Sequence, residues 1–298
     1  MQKNSPYLAY IALVVTPFFF STNVVFGKMM VEVDPFLLAC LRWLSVSIIL
    51  LLITFPKIIT EWRSIWQLKG RLAVLAFLGM WICGAIVYMA LQNTTATNGI
   101  LIYATAPVVV IILEKIFFGR VIAWREIIGI VLAFAGVCTI VFEGVIEKVL
   151  SFSFNPGDLF FALSTVSWAF YTVMQKDDEI RKFSNLFFLG VIASFGTLLL
   201  IPFALHAAIQ IDAFASVKAS WHIMLGIIFL SSIAPFTCYQ YGIKILGPSV
   251  ASLFMYLMPV SGLALAWVML GEGFELFHIL GACLIIFGVV ISTWPRKI

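Results

Sequence analysis

The sequence predicts an all-α polytopic membrane protein of ten transmembrane helices, arranged as two inverted five-helix repeats. Three observations predict it. Of 298 residues, 63% are hydrophobic and 11% are charged, against about 25% charged in a soluble domain. That deficit leaves too little polar surface for a water-soluble globule. The apolar runs are continuous over the roughly 20 residues a helical span needs, not alternating over about ten as in a membrane β-barrel. Finally, the chain writes one frame twice: Pro107 and Pro259 are 152 residues apart, and at that offset Gly119 matches Gly271, Gly129 matches Gly281 and Gly136 matches Gly288.

Each span is bounded by a charged or turn-rich cluster. Span 1 (8–28) contains "LAYIALVVTPFFF" behind Lys3; it is longer than a signal-peptide core and lacks a small-x-small cleavage site, so it reads as a retained helix. Span 2 (36–55) follows "EVDP" and stops at "PKIITEWRSIWQLKGR", which reads as a connecting segment. Span 3 (71–92) ends at "NTTATN", span 4 (96–117) at "GRVIAWRE" and span 5 (124–142) at "EGVIEKVLSFSFNPGD". Span 6 (158–176) runs to "KDDEIRKFSN", span 7 (184–205) to "HAAIQIDAFASVKASWH", span 8 (221–243) to "KILGP", span 9 (248–270) to "GEGFE", and span 10 (276–294) reaches the C-terminus. These connections are too short to hold a soluble domain, so a functional site has to lie within the bundle.

Basic residues set the orientation. With the N-terminus inside, the inner segments hold Lys3, Lys57, Arg63, Lys69, Arg71, Lys115, Arg120, Arg125, Lys176, Arg181, Lys182, Lys244, Arg296 and Lys297, which is 14 of the 18 lysines and arginines. The outer segments hold three, Lys28, Lys148 and Lys218, and Arg42 lies inside span 2. This positive-inside bias places both termini in the cytoplasm and requires an even number of spans. The formal net charge of +4 reflects that bias and is no nucleic-acid signal.

The doubling extends beyond the prolines. "PFFFSTNVVFGK" (17–28) aligns with "TVSWAFYTVMQK" (165–176), matching Phe20 to Trp168, Asn23 to Tyr171 and Lys28 to Lys176. The expected repeats are residues 1–145 and 146–298, each with five spans. An odd number inverts the second copy, which is a transporter architecture with a substrate site near the midplane. With "LACLRWLSVSIILLL" (38–52) and a proline followed twelve residues later by glycine in each half, the chain resembles the drug/metabolite transporter superfamily, in its branch of ten-helix EamA-domain permeases. The second half, "MPVSGLALAWVMLGEGFELFHILGACLIIFGVVI", is the fuller match; the first departs with Arg120 where Glu272 stands and Phe20 where Trp168 stands. The resemblance implies export of amino acids and related metabolites, although similar proteins move other solutes.

Helical spacing gathers a mixed aromatic and polar stripe. Ser164, Trp168, Tyr171 and Gln175 share one face of span 6, being spaced i, i+4, i+7 and i+11. Thr16, Phe20, Asn23 and Gly27 share the matched face of span 1, Trp81, Tyr88 and Gln92 that of span 3, and Ser232, Phe236 and Tyr239 that of span 8. Such faces suit an amphipathic organic solute. The expected substrate-lining residues are Asn23, Trp81, Tyr88, Gln92, Trp168, Tyr171, Gln175, Tyr239 and Tyr256, with Asn98 and Tyr103 beside them. Spans 1, 3, 6 and 8 are expected to line the path, and 4 and 9 to close its ends. The bland reading is that Trp and Tyr near span ends are interfacial anchors, which fits Trp62, Trp66, Trp124, Trp221 and Trp294. Arg42 either holds the bundle together, snorkels outward or attracts a substrate carboxylate. Pro107 and Pro259 mark bends that shape the helices or act as hinges. The paired glycines of spans 5 and 10 suit close helix packing, within the scaffold or across a homodimer.

Other chemistries find no support. The five cysteines all lie in apolar runs and show no metal-ligand spacing. There is no P-loop and no H-E-x-x-H, and no G-x-S-x-G. Glu114 sits beside Lys115, and the other acids cluster at span ends, so no coupling proton site stands out. The expectation is a secondary carrier working by alternating access in the bacterial inner membrane, without cofactor, metal or nucleic acid, as a monomer or homodimer. A multidrug exporter of hydrophobic cations and a pore are the alternatives.

Overall fold

The computed structural model describes residues 5–150, 153, 155–209, 215–270 and 275–294; Lys3, Gly271, Glu272, Arg296 and Lys297 lie outside these. The described residues form helices and no strand. The long helices are α1 (Pro6–Met29), α2 (Pro35–Ile53), α3 (Phe55–Asn93), α4 (Asn98–Phe118), α5 (Trp124–Val141), α6 (Pro156–Met174), α7 (Asn185–Ala208), α8 (Trp221–Leu246), α9 (Pro248–Leu265) and α10 (Leu276–Thr293). Nine of these, all but α6, are long and apolar enough to cross a bilayer. The segment expected as span 6 is 19 residues long but more polar. It buries Asp158, Ser164, Thr165, Ser167 and Thr172 inside the bundle, while Leu159, Leu163 and Val166 face outward. The outer surface is apolar, with Ile11, Leu52, Val131, Leu159 and Phe287 exposed, while hydroxyls and amides turn inward. That distribution is the one a hydrocarbon solvent imposes, and the protein is a multi-pass membrane protein.

Local chemistry starts and stops the helices. Asp34 caps α2 by accepting from the amides of Phe36 and Leu37 at 2.8 and 3.0 Å, with Pro35 in the first turn, where its missing N–H costs nothing. Asn155 and Asp158 cap α6 reciprocally. One expectation fails: "PKIITEWRSIWQLKGR" is no loop but the first part of the 39-residue α3. Trp62 and Trp66, one turn apart, stack at 6.2 Å with an interplanar angle of 19°, and Lys69 lies 4.1 Å over the Trp66 ring. The segment is an amphipathic helix, and its charges suit an interface rather than a break.

Helices pair across the halves in antiparallel fashion. Along α1 and α8, Leu13 meets Gly242, Thr22 bonds Ser231 at 2.8 Å and Phe26 meets Gly226. On α2 and α7, Phe36 stacks on Phe203 and Ser47 bonds Ser194 at 2.7 Å. Between α3 and α6, Tyr171 covers Gly79 and the Cys83 thiol donates to the Ser164 carbonyl at 3.3 Å. For α5 and α10, a Cβ at Gly129 would stand 2.4 Å from the Gly288 carbonyl, and one at Gly136 would stand 2.6 Å from that of Gly281. The four repeated glycines therefore pack against one another within the chain. Exchanging each first-half helix with its second-half counterpart turns the α1–α8 pairing into α6–α3 and leaves the others in place. Two inverted units produce this pattern.

Both copies also break in matched places. The α4 span is broken between two helices, Ala96–Tyr103, which begins just before it, and Ala106–Phe118, and α9 passes through a 3₁₀ stretch, Phe254–Leu257, before resuming at Met258. Pro107 and Pro259 are each the second residue after the break. The wide π segments, Phe77–Ile86 in α3 and Phe229–Ile233 in α8, start at positions one repeat apart. Breaks and π segments inside spans mark sites where irregular backbone lines a cavity.

Candidate functional site

The breaks in α4 and α9 face a common cavity of about 80 Å³, room for several waters or a small solute. α4 supplies Gly99, Ile100, Tyr103, Ala104 and Ala106, and α9 supplies Met255, Met258 and Pro259. α1 adds Phe20, Asn23 and Val24, α2 adds Arg42, α3 adds Cys83 and Val87, α6 adds Phe161 and Trp168, and α8 adds Phe236. The broken helices thus form walls where the sequence suggested closures; Pro259 lines the cavity and Pro107 follows the break in α4.

The wall is built of aromatic edges. Trp168 stacks on Tyr239 at 5.2 Å and meets Phe20 and Phe236 edge-on at 5.4 and 5.5 Å, both at 89°. Tilted and edge-to-face pairs are the favoured aromatic geometries, so the cluster is rigid without being sealed. Phe20 occupies the position matching Trp168 in the other repeat, and the two rings touch at the centre.

Arg42 provides the polar side. It is 2% exposed, and by helical rise its Cα lies about 10 Å along α2 from Pro35. Its Nε donates to Ser232 Oγ at 2.7 Å, Nη1 to Asn23 Oδ1 at 3.0 Å and Tyr88 Oη at 2.9 Å, and Nη2 to the Ser231 carbonyl at 2.9 Å. That carbonyl lacks its usual i+4 donor, because Pro235 has no N–H, and it lies within the π segment of α8. The guanidinium also sits 4.5 Å from the Trp43 ring centroid. Four neutral acceptors and an aromatic face hold the charge, and among the described residues no carboxylate pairs with it.

Beyond Trp168 along α6, the bundle is closed in layers. The Tyr171 hydroxyl accepts from Gln240 Nε2 at 3.0 Å, and the Thr172 and Tyr239 hydroxyls lie 3.3 Å apart. At the next turn Lys176 Nζ donates to Glu114 Oε1 at 2.8 Å. Glu114 Oε2 accepts from the Ser249 amide at 3.1 Å and from the Ser249 hydroxyl. Arg120 lies 3.8 Å from Glu114 and pairs with Glu126 at 2.8 Å. This cluster ties α4, the end of α6 and the start of α9 together at the end of the bundle that carries the basic residues. At the opposite end Asp158 accepts from Thr94 at 2.6 Å and Asn98 at 3.1 Å, which fixes the α3–α4 turn to α6.

The structure separates the residues the sequence grouped. Asn23 and Trp168 line the cavity, as do Phe20 and Tyr103. Tyr88 stands behind it, its hydroxyl joining Arg42 to Asn23 at 2.9 and 3.1 Å. Tyr171, Tyr239 and Gln175 belong to the closing layers, with Gln175 Nε2 bonded to the Tyr171 carbonyl at 3.2 Å. Tyr256 is fully buried with its hydroxyl unpaired among the described residues. Trp81 packs with Phe36, Phe77 and Phe203 away from the cavity, and Gln92 bonds the Val31 carbonyl at the surface. Reasoning from side-chain stripes missed Ser231, because its contribution is a carbonyl. The signal was Pro235 four residues later.

Comparison with known proteins adds three findings. The sequence pattern of the EamA-like transporter family matches residues 7–142 and again 155–294. A protein of Bacillus subtilis named "Uncharacterized transporter YetK" is 27% identical over 97% of this chain and 88% of its own length. An "Uncharacterized transporter" of Archaeoglobus fulgidus is 28% identical over 95% and 96%. A solved crystal structure shares the fold with a TM-score of 0.70 over 97% of both chains, at 19% identity.

Proposed function

The chain belongs to the EamA-like transporter family, and from that premise we propose a secondary carrier that moves a small organic metabolite, an amino acid or close relative, outward across the bacterial cytoplasmic membrane. In this reading ten helices cross the bilayer as two inverted repeats with both termini in the cytoplasm, which makes the basic end the cytoplasmic one. One observation carries the proposal: a mixed aromatic and polar cavity lies between two broken helices, Pro259 lines it, and layers of hydrogen bonds and an ion pair close the bundle between Trp168 and the basic end.

Alternating access follows from these parts. The solute enters the cavity against Trp168, Phe20 and Phe236, with Arg42 and Asn23 as the polar contacts. The Trp168–Tyr239 stack, the Tyr171–Gln240 bond and the Glu114–Lys176–Ser249 cluster separate it from the cytoplasm. Opening toward the cytoplasm requires α4, α6 and α9 to part at that cluster, while the symmetry-related helices close on the outer side. Rocking of one repeat against the other needs no soluble domain and no nucleotide.

Export is tested in cells. Bacteria overproducing the protein are loaded with dipeptides, and the release of each constituent amino acid is followed. Faster release of a subset, abolished by Trp168→Ala at equal membrane abundance, is the expected result. Release unchanged for every amino acid would reject the assigned substrate class and direction.

A further inference from the structure

Arg42 is a cation buried within a membrane bundle, and it lines the cavity. Its four hydrogen-bond acceptors are all neutral: two hydroxyls, an amide oxygen and a backbone carbonyl. Among the described residues, no aspartate or glutamate lines the cavity. Inside proteins a buried charge is normally paired, because neutral dipoles alone do not repay its lost hydration. Intramembrane arginines in particular pair with an acid or mark a pathway. Glu114 and Glu126 have ion partners in Lys176 and Arg120, and Asp158, at the end of the bundle away from the cavity, is held by two polar side chains and a backbone amide; Arg42 is the cation that lines the cavity itself.

We infer that the missing countercharge arrives with the cargo: Arg42 is the specificity-determining residue of the cavity, and it selects solutes bearing a carboxylate beside an apolar group. The inference rests on the carrier reading and narrows its substrate class. Guanidinium groups bind carboxylates through paired N–H donors. Three of the four present acceptors, Asn23, Tyr88 and Ser232, are side chains that can turn aside or donate to the incoming group; the Ser231 carbonyl keeps the guanidinium in place. Phe20, Trp168 and Phe236 then receive the apolar part. A hydrophobic cation would meet Arg42 with no acid among the described lining residues to offset the repulsion.

Two readouts separate this inference from the carrier reading. Thermal unfolding of the purified protein in detergent is followed with L-phenylalanine, 3-phenylpropionate and phenethylamine, which differ only in carrying the carboxylate and the amine together or one alone. The two carboxylates are expected to raise the midpoint and the amine to leave it unchanged. Arg42→Gln should abolish the rise, and Arg42→Lys should keep it at roughly tenfold higher concentration. Equal stabilisation by phenethylamine, by chloride or by none of the probes would overturn the inference, on the native protein alone and whether or not the variants fold. Counterflow of the same probes in proteoliposomes tests the carrier reading: stabilisation without saturable flux would keep the Arg42 site and reject the carrier, while flux with no preference for the carboxylate would keep the carrier and reject Arg42 as its selector.

Discussion

Glu114→Gln should open the basic end of the bundle. Glu114 is 3% exposed and receives Lys176 at 2.8 Å, the Ser249 amide at 3.1 Å and the Ser249 hydroxyl. Hydrogen bonds to a charged group contribute about 1.5–3 kcal/mol each, and removing one partner of a buried pair costs about 3–5 kcal/mol. The Lys176 side chain is 34% exposed, so water recovers part of that loss, and glutamine keeps an acceptor. A net ~1–3 kcal/mol against the closed arrangement is reasonable after this discount. At about 1.4 kcal/mol per tenfold, the open population rises roughly 5- to 150-fold. Cys83 lines the cavity and is a natural reporter once Cys40, Cys138, Cys238 and Cys283 are replaced by serine. A membrane-impermeant maleimide applied from the basic side should label Cys83 faster in Glu114→Gln by about that factor. A lowered melting midpoint with unchanged labelling would refute the reasoning, since the cluster would then hold the fold together without gating it.

Other expectations follow from the same geometry. Gly288→Leu forces a Cβ to within 2.5 Å of the Gly129 carbonyl, so α10 must shift; overpacking of this kind costs about 1–3 kcal/mol or more, read as a fall in the detergent melting midpoint. Tyr88→Phe removes the hydroxyl bonded to Arg42 and Asn23 and should cost about 0.5–1.5 kcal/mol of stability while changing the apparent substrate affinity in flux assays. Trp81→Ala removes a ring packed on Phe36, Phe77 and Phe203; it should lower the midpoint and leave substrate affinity unchanged. Asp177→Asn breaks an exposed pair with Arg71, worth at most about 1 kcal/mol, and should leave both midpoint and flux near the native values.

Much of this architecture is legible in one sequence because a membrane leaves few choices. Apolar length gives spans, and basic residues supply an expected orientation. The doubled Pro107/Pro259 and Gly129–Gly136/Gly281–Gly288 frames led to the broken helices and to the α5–α10 contact. What escaped was set by packing or by backbone. The segment before span 3 reads as polar and is helical, because an interface solvates one face while Trp62 and Trp66 anchor the other. Trp81 shares a helical stripe with Tyr88, yet it lies within the π segment, where the helical spacing no longer holds, and packs on Phe203. Arg42 could not be placed, because its partners on α1, α3 and α8 are 19, 46 and 190 residues away.

The central claim, that a solute passes through the Trp168 cavity of a carrier, is tested most directly by counterflow. Proteoliposomes loaded with unlabelled amino acids are offered labelled ones outside, with native protein beside Trp168→Ala and Trp81→Ala. Saturable uptake with an overshoot, weakened by Trp168→Ala and retained by Trp81→Ala, is the predicted result. Uptake that does not saturate and shows no overshoot, or that Trp168→Ala leaves intact, would contradict the account.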